Sequence, residues 1–172
     1  MLALLLALST AHATPDWTYP ERSWTVSVDP LTLALGFTHL QVERVVGPHW
    51  SVYGSPHLFV FPSPLLAELQ QPFRGLGAEA GVRYFFDDHA PTGCWVMARG
   101  VLAHLKTTEG ADTPGLTSAG GYGSVLVGYT AILGEHLVLS GGAGAQYLRY
   151  QVDGMGVLGP APALHTNVGW AF

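Results

Sequence analysis

The residues best suited to chemistry are few. His49-Trp50-Ser51 sets a histidine and a serine two apart, on one side of an extended chain, with Glu43 and Glu135 as available acids. A hydroxyl activated by an imidazole that a carboxylate orients is the arrangement of acyl-transfer hydrolases. A match this short recurs by chance, and the pair borders a turn, so no catalytic residue is assigned and no enzyme is expected. The histidines invite a metal reading. His12 falls in a leader, and His39, His49, His57, His89, His104, His136 and His165 stand singly, with no H-x-H or H-x-x-x-H spacing. Cys94 has no companion, so neither a disulfide nor a thiolate cluster is available. No metal and no cofactor is expected. The glycine-rich stretch 118–123 lacks the lysine and the strand-to-helix setting of a phosphate loop.

Four charges stand out because their surroundings are so poor in charge. Between Gly75 and Phe86, one alternating face carries Leu76, Ala78, Ala80, Val82, Tyr84 and Phe86, and the other Gly77, Glu79, Gly81, Arg83 and Phe85. His39, Gln41 and Glu43 alternate likewise with Leu40 and Val42, and Ser140, Gly142, Gly144 and Gln146 share a face opposite Leu139, Ala143 and Tyr147. If the polar faces point inward, their charges must be paired and hydrogen-bonded to be tolerated. Glu43, Glu79 and Arg83, with Arg99, are therefore expected to form an internal network whose role is a structural plug.

The elements that would position them are strands. Charged residues make up 11% of the 172-residue chain, against about 25% in ordinary soluble domains. No stretch reaches the ~20 apolar residues of a spanning helix. A closed sheet is the other structure that satisfies every backbone polar group in lipid. Turn residues divide the chain into eight amphipathic segments, beginning with two between 23 and 46 that bend near Asp29-Pro30 or Gly36. The breaks at 47–49, 87–93 and 134–136 are short, and those at 62–74, 107–118 and 153–161 longer. Such sorting by end predicts short periplasmic turns and longer outer loops. Glu68, Arg74, Glu109, Asp112 and Asp153 are the charges in the longer loops. Phe85, Phe86, Trp95, Trp170 and Phe172 fall near strand ends on the short-turn side, where a belt of interfacial aromatics is expected.

The front of the chain reads as an export leader. Leu2 to Leu8 is an unbroken apolar run, followed by Ala11-His12-Ala13. This predicts a signal peptide over 1–13, cleaved after Ala13, then a periplasmic lead over 14–22 and a barrel over 23–172. The net charge of −5 and the lack of a basic run argue against nucleic acid as a partner.

The last strand, Leu164 to Phe172, alternates Leu164, Thr166, Val168, Trp170 and Phe172 with His165, Asn167, Gly169 and Ala171. The leader, the eight amphipathic strands, the sorted loops and the terminal Val168-x-Trp170-x-Phe172 together resemble the small outer-membrane β-barrels of Gram-negative bacteria, the OmpA/OmpX/OmpW-like group. Gly81-Val82-Arg83-Tyr84-Phe85-Phe86 is similar to a strand end common in that class. The resemblance implies an all-β, eight-stranded antiparallel up-and-down transmembrane barrel in a bacterial outer membrane. It also implies that Val168, Trp170 and Phe172 form the signal read by barrel-assembly machinery. Outer-membrane lipid is then a partner, while any partner of the outer loops is unspecified. Fold does not imply function, so the expected role is structural or interactive, behind a lumen filled by side chains. The main alternative is an exported soluble barrel similar to a lipocalin, with Leu76, Val82 and Phe86 lining a ligand cavity. A lipid hydrolase built on the barrel is a lesser one.

Overall fold

The computed structural model describes residues 22–34, 37–60, 73–87, 89–107, 117–152 and 155–172. The leader 1–13 and most of the lead 14–22 lie outside the described residues, as do Glu68, Glu109, Asp112 and Asp153. The elements in order are β1 (Trp24–Val28), α1 (Pro30–Ala34), β2 (Phe37–Gly47), β3 (Trp50–Val60), β4 (Phe73–Phe85), β5 (Gly93–Thr107), β6 (Thr117–Leu133), β7 (Leu137–Val152) and β8 (Met155–Ala171). Each strand pairs antiparallel with the next, and β8 returns to β1, so the eight strands close into an up-and-down barrel. Closure runs from Thr25 opposite Ala171 to Val28 opposite Val168. Trp24 and Phe172 then exchange backbone hydrogen bonds of 3.2 and 2.8 Å.

The alternation read from the sequence is the in–out pattern of the barrel. Leu76, Ala78, Ala80 and Val82 face out, while Glu79, Arg83 and Phe85 are buried within. Residues 165, 167 and 171 of β8 are buried, and Leu164, Val168 and Trp170 are exposed. This is the reverse of a soluble barrel, which buries its apolar face. The lipocalin-like arrangement is therefore corrected: Leu76, Val82 and Phe86 are 68%, 36% and 58% exposed on the outside.

Three further expectations are corrected. The first segment was expected to be extended through Leu35, but β1 stops at Val28 and Pro30–Ala34 is helical. Asp29 explains the switch, since its Oδ1 accepts from the backbone N–H of Leu31 (2.9 Å) and Thr32 (3.2 Å), with Pro30 at the first helical position. Thr166 Oγ1 also donates to Asp29 at 2.5 Å, which ties α1 to β8 where β1 leaves off.

Second, the expected loop at 153–161 is mostly strand. The β7–β8 ladder continues to Val152 opposite Met155. Pro160 and Pro162, read as loop residues, sit in β8 because that stretch pairs with β7 alone; the β1 ladder spans only 168–171. Proline is tolerated where a strand has one free edge. Arg74, also assigned to a loop, lies in β4 opposite Val60. The connections at one end of the barrel, 48–49, 86–92 and 134–136, remain short.

Third, Phe85 and Trp95 are not belt residues. Both are 0% exposed, because each shares the inward parity of its strand. Phe86, Trp170 and Phe172 do face out, joined at the same end by Trp24, Trp50 and Tyr129 at 43%, 46% and 57% exposure.

Trp95 lies flat against Gly128 and Gly142, where an added Cβ would overlap the indole. With Val45, Phe85, Met97 and Leu126 it forms the apolar floor of the lumen. The β4–β5 connection closes that floor from below, with Ala90 buried and its N–H donating to Pro48 O at 3.0 Å. Gly142→Val should cost about 1–3 kcal/mol or more by overpacking, read as a lowered urea midpoint for unfolding in detergent.

Candidate functional site

Above the apolar floor the lumen holds two charge clusters, built by inward residues of β2 to β6 and β8. The lower one centres on Arg83 and Glu43. Arg83 Nη1 donates to both oxygens of Glu43, at 3.2 and 3.0 Å. Its Nη2 lies 2.8 Å from His165 Nε2. A guanidinium only donates, so His165 accepts there as a neutral imidazole. Ser51 Oγ and Gln41 Nε2 also donate to Glu43, and Asn167 Nδ2 donates to Gln41 Oε1 at 2.9 Å. The guanidinium carbon stands 4.7 Å from the centre of the Trp95 ring, so the apolar floor carries the cation on an aromatic face.

The upper cluster centres on Glu79. Tyr53 Oη donates to Oε1 at 2.6 Å and Tyr122 Oη to Oε2 at 2.9 Å. Arg99 Nη1 is 3.7 Å from Oε1, while the rest of that guanidinium donates to Ser124 Oγ (2.8 Å) and Leu164 O (3.2 Å). His57 Nε2 is 3.3 Å from Oε2 and His39 Nε2 is 3.9 Å from Oε1. The two carboxylates are thus matched by two guanidiniums, the condition under which buried charge is tolerated.

The expected network of Glu43, Glu79, Arg83 and Arg99 exists, but as two clusters: Arg83 belongs to Glu43, and Arg99 to Glu79. The histidines do not all stand singly. His39 and His57 are direct cross-strand partners, with ring centres 4.5 Å apart. Spacing along the chain missed them because antiparallel pairing joins residues far apart in sequence. Tyr53, Tyr122, Ser51 and His165 were likewise unassigned; their inward parity was visible, but not their height along the barrel axis. The hydrolase constellation is not assembled. Ser51 donates to Glu43 inside the lumen, whereas His49 Nδ1 sits 2.9 Å from Phe85 O at the turn. Glu135 lies apart at a surface turn beside His136.

Inward residues near the floor are fully buried. Those at the other end of β6 and β7, such as Ser118, Tyr122, Gln146 and Leu148, are half-buried. The lumen is therefore sealed at the short-turn end and loosens toward the other.

A solved structure matches this architecture. The N-terminal β-barrel domain of Pseudomonas aeruginosa OprF superposes with a TM-score of 0.52 at 10% identity, over 88% of this chain and 98% of that one. The fold is that of an eight-stranded OmpA-class barrel. No family model matches the chain, and no curated protein does.

Proposed function

We propose that this chain spans a bacterial outer membrane as a plugged barrel, acting structurally or through the surface presented at its looser end. The observation that carries the reading is the inverted distribution of polarity. Leu76 and Leu102 are 68% and 79% exposed on the outside, whereas Arg83 and Glu79 are 1% and 3% exposed within. An exterior of this kind fits acyl chains, and the ring of Trp24, Trp50, Phe86, Tyr129, Trp170 and Phe172 fits a lipid–water boundary. Lipid is then its first partner. Export through the leader 1–13, and recognition of the outward row Val168, Trp170 and Phe172 by barrel-assembly machinery, belong to the same reading. The paired charges and the floor under Trp95 favour a lumen that does not conduct. No catalytic role is assigned.

Expression with the leader in a Gram-negative host tests this directly. The protein should appear in the outer-membrane fraction, require detergent for release, and migrate faster on gels when unheated. In planar bilayers it should give no steady conductance. Recovery in the soluble periplasm would refute the membrane reading, and reproducible open-channel steps would refute the plug.

A further inference from the structure

We infer that His39, His57 and Glu79 form a binding site for one divalent transition-metal ion of the zinc class, held inside the barrel. The three come from adjacent strands β2, β3 and β4, and register alone brings them together. One donor atom from each lies within 4.8 Å of the other two. Ligands at ~2.0–2.1 Å around a tetrahedral ion sit about 3.4 Å apart. The His57 Nε2–Glu79 Oε2 separation of 3.3 Å already matches, and His39 Nε2 is 3.9 Å from the other carboxylate oxygen. Side-chain movement of roughly an ångström completes the geometry.

Two further observations point to a ligand. His39 is 3% exposed, and its Nε2 has no hydrogen-bond partner although it is aimed at the carboxylate. A buried imidazole nitrogen without a partner is costly unless something else fills the role. Glu79 is also held as ligating carboxylates are. Tyr53 and Tyr122 donate to its two oxygens and fix its orientation while leaving a lone pair on each, which is how outer-shell partners support a metal site. Two imidazoles and a carboxylate form a mixed nitrogen–oxygen set suited to zinc, cobalt or nickel rather than to calcium or magnesium. The fourth position is left for water. The site lies on the half-buried side of the lumen, above the sealed floor, so an ion can enter from the looser end. Arg99, 3.7 Å from Glu79, is a cation beside the site that lowers its affinity without taking a ligand position.

The test uses the chain without a polyhistidine tag, folded in detergent and titrated with Co²⁺ as a spectroscopic probe, then with Zn²⁺ as competitor. One equivalent of Co²⁺ should give visible bands of a low-coordinate nitrogen–oxygen site, and Zn²⁺ should abolish them. His39→Ala, His57→Ala and Glu79→Gln should each weaken binding at least tenfold, and Tyr122→Phe several-fold with the bands retained. His104→Ala, at an outward position on β5, should leave binding unchanged. Heat-modifiable migration shows which variants are folded; His39→Gln and His57→Gln replace any alanine variant that is not. The proposal is overturned if the parent shows no bands at stoichiometric Co²⁺. It is equally overturned if folded His39 and His57 variants bind as tightly as the parent, leaving the cluster a plain histidine–carboxylate contact.

Discussion

Arg83→Ala should destabilise the barrel by about 3–5 kcal/mol, because it leaves a buried carboxylate without its counter-charge. Arg83 is 1% exposed, and its guanidinium bridges both oxygens of Glu43. Without it, the Glu43 carboxylate keeps only the neutral donors Ser51 and Gln41. The loss should appear as a lower urea midpoint in lipid vesicles, followed by tryptophan emission, since Trp95 packs under the same guanidinium. Removing both charges is expected to be far milder. Arg83→Met combined with Glu43→Gln should recover most of the stability, because the penalty comes from the orphaned ion and not from loss of the pair. A single variant that unfolds at the parental midpoint would show that the pair does not hold the lumen together. A double variant as weak as the single would place the effect in packing over Trp95 instead.

Val125→Arg is expected to cost about 2–4 kcal/mol in a bilayer, the penalty of a cation on the lipid face near mid-membrane. Val125 is 58% exposed on the outside of β6, further from the short-turn end than the belt residue Tyr129. On a water-facing surface the same change would lie within about 0.5 kcal/mol of neutral. The measurement thus separates lipid from water as the solvent of this face. Phe86→Arg, at the aromatic ring, serves as the depth control and should cost only ~0–1 kcal/mol. Equal effects at the two positions would mean that no depth-dependent hydrocarbon layer surrounds the barrel.

Much of this was legible in the chain because strand alternation is local. A two-residue period assigns each side chain to one face or the other. The poverty of charge identifies which face meets lipid, and glycine marks where large lumenal side chains need room. That is why Glu79 and Arg83 were placed inside, and Leu76 and Val82 outside, without coordinates. Punctuation was legible only in part. Gly159-Pro160 reads as a break, yet β8 runs through it because its other edge has no β1 beside it. Whether a proline breaks a strand depends on that strand's neighbours, which lie elsewhere in the sequence.

The sequence by itself thus determined a strand-built chain, its two faces and the set of charges enclosed. Only the tertiary structure decided which of those charges meet. Alternation says whether a side chain points inward, but its height is set by register, a property of strand pairs and of the stagger that closes the ring. Register put Arg83 with Glu43 and Arg99 with Glu79. It also brought His39 and His57, far apart along the chain, to the rim of the same carboxylate.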